Sequence, residues 1–308
     1  MNALYRAVGI SKQGFHKHLD RYLSQQDEQH QLLGLIMQIR KEYPSISARQ
    51  MYWMIRPVHL GRDRFEAFCF ENGFKIERKR SFRRTTNSLG VTRFPNLLLN
   101  TELKRINQVR VSDITYYQID DRFYYLTFIM DLYSRRIVGY SASETLLTEH
   151  TTLPALRMAL ARRKIPQDLI FHTDGGGQYY CKEFIRLIRM FGIQSSMAET
   201  VFENSNAERL NGLIKNDYLV YYAPQNFMEL QGELKRAVRN YNLKPHSDLG
   251  KLSPTDFEIK CGNVDNYQKK RSNQVSELGQ LTIAHISNIL VTATSVKNRL
   301  KTVNLIQA

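Results

Sequence analysis

The chain has 308 residues, 42% of them hydrophobic, which allows two domains or one large domain with appendages around a real core. Its 44 Lys and Arg against 29 Asp and Glu leave a formal charge of +15, which points to a polyanionic partner, most often nucleic acid. No apolar run reaches the eighteen or so residues of a membrane helix, no signal-peptide h-region opens the chain, and Cys69, Cys181 and Cys261 form no C-x-x-C pair, which argues against structural zinc and a disulfide framework and fits a reducing cytoplasm.

Residues 3–22 predict a short helix, a turn at Gly9 and a second helix capped by Ser11. That order is the tail of a helix-turn-helix, or equally an ordinary helical hairpin. Residues 29–43 put Leu32, Leu33, Leu35, Ile36 and Ile39 near one helical face, with Pro44 behind them. Ser47 caps a helix through Ile55, stopped before Pro57, and Arg62–Glu71 gives another, closed by Gly73. Residues 1–74 thus read as a helical N-terminal region. Residues 75–100 read as an extended basic linker, with Lys75, Arg78, Lys79, Arg80, Arg83, Arg84 and Arg93 opposed by Glu77 alone. A solvated linker is the plain reading; the unopposed charge favours phosphate contacts.

From residue 106 the texture becomes α/β. Gln108–Asp113 reads as a strand, and Arg122–Leu132 and Arg136–Ala142 as a meander turning at Tyr133-Ser134-Arg135. A helix over Thr148–Arg163, a strand over 168–173, a helix from Lys182 to Phe191, a strand over Gln194–Met197 and a final helix complete the order of a ribonuclease H-like domain, placed at 101–262. The extension 263–308 shows no clear pattern.

The strand at 168–173 ends in His172-Thr173-Asp174 and runs into Gly175-Gly176-Gly177. A phosphate loop, a metal-binding carboxylate and a plain turn all compete for it. A dinucleotide fingerprint fails because its third glycine position is Tyr180; a P-loop fails because Gln178-Tyr179 replaces Lys-Ser/Thr. A carboxylate site needs company, since magnesium takes oxygen ligands from converging acids. Asp113 follows a Val-x-Val alternation, where burying an acid is costly unless it is paired or bound to metal. Glu208 lies on a helix whose Asn204, Glu208, Asn211 and Lys215 fall within about 60° of one another at 100° per residue, with Ala207, Leu210, Leu213 and Ile214 on the apolar side. An ordinary surface helix has the same pattern. Three acids in this fold order favour the metal reading.

With these residues in view, the chain resembles the DDE transposases of bacterial insertion sequences, in the group with two overlapping reading frames and a retroviral-integrase-like core. The resemblance covers about residues 3–257. It rests on Val111-Ser112-Asp113-Ile114-Thr115-Tyr116, on Met130 to Tyr140, on His172 to Tyr179, on Glu203-Asn204 with Ala207-Glu208-Arg209, and on Tyr241-Asn242 through His246, Leu249-Gly250 and Ser253-Pro254. It implies an α/β ribonuclease H-like catalytic core behind a small helical N-terminal region. It also implies DNA strand transfer with magnesium, Asp113, Asp174 and Glu208 as catalytic metal ligands, and Lys215 against the element's terminal DNA. Two Mg2+ ions, with Mn2+ as a substitute, are expected, and the glycines are expected to clear an approach for DNA. Asn204 and Asn211 share the stripe of Lys215, and Gln178 flanks the loop, so these three are grouped with the DNA contacts. Tyr179 suits DNA positioning or packing equally, and His172 suits a packed strand end better than a ligand.

Further expectations are element-end and target DNA as partners, self-association, a helix-turn-helix and zipper supplied by the upstream frame, no membrane, and a cytoplasmic, nucleoid-associated location. Two departures stand out. Arg110 occupies the position where the family usually has Trp, and 33 residues separate Asp174 from Glu208, about two fewer than usual. Competing readings are a catalytically silent DNA-binding remnant or regulator, and a cellular nuclease of the same fold.

Overall fold

The computed structural model describes residues 5, 9–76, 94–99, 101–163, 165–198 and 204–262. The expected first helix and most of the basic linker, including Arg78, Lys79, Arg80, Arg83 and Arg84, lie outside them, as does the extension 263–308. The chain divides into a unit Met1–Phe257 and a second, Glu258–Ala308. The described part of the second, 258–262, finishes the last helix and its turn.

Ser11 opens α1 (Lys12–Glu42), accepting from the Gly14 amide at 3.0 Å. The sequence suggested two helices over this stretch. They run as one, because Asp20–Gln29 holds no glycine or proline to break them. Ser47 and Gln50 form a reciprocal capping box at the start of α2 (Ala48–Ile55), which ends at Arg56 with φ 48° before Pro57. With α3 (Arg62–Glu71) these helices bury Ile36, Ile46, Met51, Phe65 and Cys69 in a small core of their own.

The sheet has five strands in the order β3-β2-β1-β4-β5. The strands are β1 (Val109–Ile119), β2 (Arg122–Asp131), β3 (Ile137–Ser143), β4 (Ile170–Thr173) and β5 (Gln194–Met197). The first three form an antiparallel meander, and β4 and β5 add in parallel to β1. β1 runs six residues beyond the expected end at Asp113, because Thr115, Tyr116, Tyr117 and Ile119 are strong strand formers that pair with β2 down to a two-residue turn. Helices α4 (Thr152–Ala161) and α5 (Lys182–Met190) cover one face, burying Ile129, Val138, Leu156, Phe171, Phe184 and Ile188. The other face carries α6 (Ser205–Ile214) and α7 (Phe227–Leu243), with Val109, Val111, Leu210, Ile214, Leu234 and Val238 in its core. α6 widens into a π-helical turn, Lys215–Leu219, and α8 (Pro254–Lys260) closes the described chain.

The end of α1 is fastened to α7. Glu42 takes Arg236 and Asn240 on its carboxylate, and its carbonyl accepts from the Tyr222 hydroxyl at 2.6 Å. Among the described residues no helix is long and apolar enough to cross a membrane.

Candidate active site

The parallel ladder between β1 and β4 ends at Val111 opposite His172 and Ser112 opposite Thr173. The next residue on each strand is an acid, so register alone brings Asp113 and Asp174 side by side in the middle of the sheet. Asp113 accepts from the Ile114 amide at 2.8 Å and from Asn211 Nδ2 at 2.7 Å. Asp174 accepts from the Gly176 amide at 3.1 Å. Burial, and then the charge of Asp174, push the Asp113 carboxyl up to about 8; burial raises Asp174 as well. Two acids held this closely need a shared proton or a cation between them. Their all-oxygen donor set suits a hard divalent cation.

Glu208 stands differently. It lies in the first turn of α6, exposed, where the helix dipole favours its charge. Its charge reaches Asp113, yet among the described residues no three His, Cys, Asp or Glu side chains converge closely enough to hold a metal ion. The expected trio is therefore a close pair with a third acid set back. Like charges repel, and the amide of Asn211, one turn beyond Glu208, already occupies Asp113.

The polar stripe of α6 is a single face, turned onto β1. Asn204 Nδ2 donates to the Ser112 carbonyl at 3.3 Å, Asn211 to Asp113, and Lys215 Nζ to Thr115 Oγ1 at 2.8 Å, above the Tyr116 ring. Asn204 and Asn211 are only 1% and 5% exposed, which corrects their grouping with DNA contacts: they hold α6 against the acid-bearing strand. Gln178 is half-buried and donates to the Leu146 carbonyl at 3.3 Å. His172 is a packed strand end, its Nδ1 2.9 Å from Ser196 Oγ.

The three glycines differ. Gly175 has φ 86°, and a Cβ there would fall on Met197 and 2.9 Å from the Tyr180 hydroxyl; at Gly177 a Cβ would meet open space. The need for glycine at 175 thus comes from backbone conformation and internal packing, where the sequence suggested clearance for DNA. A further contact beside the acids is that of the Ser112 hydroxyl, 2.9 Å from that of Tyr179. The residue types carried no signal of this pairing; only the fold brings them together.

Arg110, in place of the usual Trp, is fully buried. Its Nη2 donates to Asn107 Oδ1 at 3.0 Å and it pairs across the sheet with Asp131, whose carboxylate accepts from the amides of Asn107, Tyr133 and Ser134. A buried polar network fills the place of an indole.

The raised carboxyl gives a stability prediction. A group whose folded pKa exceeds its unfolded value binds more protons when folded, so stability falls as pH rises between the two. For Asp113 that window runs from its ordinary 3.8 to about 8. In chelator-treated protein, the melting temperature should fall from pH 5 to pH 8 more steeply for wild type than for Asp113→Asn. Taking the difference between the two removes the histidines common to both. Parallel pH profiles would contradict a raised Asp113 carboxyl.

The integrase core domain family matches residues 104–201, which include Asp113 and Asp174 and stop before Glu208. The 31 kDa protein of insertion element IS600 from Shigella sonnei is 32% identical over 269 residues, covering 83% of this chain and 97% of that protein. Transposase InsF for insertion sequence IS3A of Escherichia coli (strain K12) is 34% identical over 163 residues, 50% of this chain and 54% of its own length. The chain therefore spans about half the length of that relative. The HTLV-2 integrase catalytic core domain in its trimeric form is similar at 21% identity and a TM-score of 0.41, covering 49% of this chain and 95% of that one. With a relative matched over nearly its whole length and the core domain lying on the five-stranded sheet, the chain belongs to the insertion-sequence DDE transposases with an integrase-like core.

Proposed function

We propose that the chain cuts phosphodiester bonds at the ends of its element and transfers the freed strand to target DNA, using divalent metal held at Asp113, Asp174 and Glu208. The observation that carries this reading is the pair of half-buried acids that strand register sets side by side, both carboxyls pushed upward by partial desolvation. Two magnesium ions, replaceable by manganese, would supply activation of the attacking oxygen and stabilisation of the leaving one. Asp113 and Asp174 hold the site from the sheet, and Asn211 fixes the Asp113 carboxylate by its 2.7 Å bond. Glu208, in the first turn of α6, would complete the set. No side-chain nucleophile is required.

Lys215, Gln178 and the basic residues Arg78, Lys79, Arg80, Arg83 and Arg84 are assigned to DNA phosphates, in keeping with the charge of +15. Self-association and a helix-turn-helix product of the upstream frame complete the assembly, at the nucleoid. The domain limits 1–74, 75–100, 101–262 and 263–308 belong to the same proposal. The set-back position of Glu208 favours a second reading, a DNA-binding regulator without turnover. Incubating the full chain with element-end duplex and Mg2+ separates the two. Metal-dependent nicking at the element boundary is expected; DNA binding without nicking under Mg2+ and Mn2+ would leave the regulator.

A further inference from the structure

We infer that Tyr179 and Ser112 are positioning residues of the metal site, joined by one buried hydrogen bond that sets the spacing of Asp113 and Asp174. The inference rests on the metal reading above and adds to it how the two acid-bearing segments are kept in step. The β1–β4 ladder stops at Ser112 and Thr173, one residue short of both acids. Beyond that point the backbone of β4 turns away into the glycine loop. The Ser112–Tyr179 bond crosses the gap just there. Ser112 immediately precedes Asp113, and Tyr179 ends the 3-10 turn Gly177–Tyr179 that follows Asp174.

The bond has a fixed direction. Ser112 Oγ lies 2.9 Å from the Phe128 carbonyl, which can only accept. A serine hydroxyl carries one proton, so with that proton on Phe128 it accepts from Tyr179 at 2.9 Å. A relay thus runs from Tyr179 through Ser112 to β2. Both ends are held: Ser112 is fully buried and Tyr179 3% exposed. The ring of Tyr179 packs against Phe184 and Phe171, with centroids 5.5 and 6.4 Å away. Since Phe171 and Phe184 hold the ring, removing the hydroxyl alone leaves the packing and takes away the link. Tyr179 touches neither DNA nor metal in this scheme; it acts through Ser112 on Asp113, and through its own turn on Asp174.

The test is divalent-cation binding to the full chain without DNA, followed for Mn2+ by electron paramagnetic resonance of the free ion and for Mg2+ by calorimetry, with melting temperatures measured alongside. Tyr179→Phe should weaken binding by about 10- to 100-fold, the usual effect of losing a partner that orients metal ligands. Ser112→Ala, which removes the same bond from the other side, should weaken it similarly. The double variant should be no worse than the more severe single one, because one interaction is lost in each. A Tyr179→Phe protein that melts lower but binds Mn2+ as wild type would show a purely structural hydroxyl and overturn the inference. If Tyr179→Phe does not fold, Ser112→Ala decides alone by the same criterion. Failure of the wild-type chain to bind either cation would remove the metal reading itself, a result separable from the others because it precedes any variant.

Discussion

Asp113→Asn, Asp174→Asn and Glu208→Gln should each cut Mg2+-dependent nicking of element-end DNA by more than about 100-fold while the protein stays folded. The lower bound follows from outer-shell partners, whose loss already costs 10- to 100-fold; a ligand itself should cost more. Folding should survive because each change keeps shape and removes charge. At Asp113 it removes a carboxyl whose ionised form is disfavoured by burial and by Asp174. The three variants also test different things. Asp113 and Asp174 adjoin by strand register, whereas Glu208 is set back on α6. Loss in the two aspartate variants with full nicking by Glu208→Gln would remove Glu208 from the ligand set and leave the pair. Full nicking by either aspartate variant would end the metal assignment altogether. Circular dichroism and melting curves on the same preparations separate loss of chemistry from loss of fold.

Much of this arrangement was legible before any coordinates. Strand β5 falls on Gln194–Met197 as expected, although Gln, Ser, Ser and Met are weak strand formers; parallel pairing with β4 holds it there. The two aspartates were legible because an acid at the end of an apolar strand is costly without a partner, and the element order puts the two strands side by side. Periodicity also grouped Asn204, Glu208, Asn211 and Lys215 on one face. It did not say what that face looks at. A polar stripe is read as solvent-facing or DNA-facing by habit, and here it bonds Ser112, Asp113 and Thr115 on a strand about a hundred residues away. The same limit hid the Ser112–Tyr179 pair and the network around Arg110. Each joins residues whose types are unremarkable singly and whose meaning lies in the partner. The single helix α1 was missed for another reason: its exposed middle has no apolar period to announce it.

Gly175→Ala should lower both stability and nicking, and Gly177→Ala should leave both near wild type, although the two glycines are neighbours in one loop. At 175 the φ of 86° lies where L residues are strained, at a cost of about 1–2 kcal/mol. The added methyl also falls on Met197, which holds the Tyr180 hydroxyl on its sulfur at 2.8 Å, with Tyr180 stacked on Phe94. Met197 can shift, but only by disturbing that bond or the end of β5. The strain sits next to Asp174, whose carboxylate is held by the amide of Gly176. Relief of strain at 175 therefore turns the peptide that orients the acid, and a loss in nicking of about 10-fold or more is expected from misplacement by a fraction of an ångström to 1 Å. At 177 the backbone is in an ordinary conformation and an added Cβ meets open space. If the glycines served mainly to let DNA approach, the order would invert: Gly177→Ala, on the open side, would impair DNA nicking with no change in melting temperature, and Gly175→Ala would act on stability alone. Comparing melting temperature and nicking for the two variants distinguishes a loop shaped by its own packing from one shaped by its substrate.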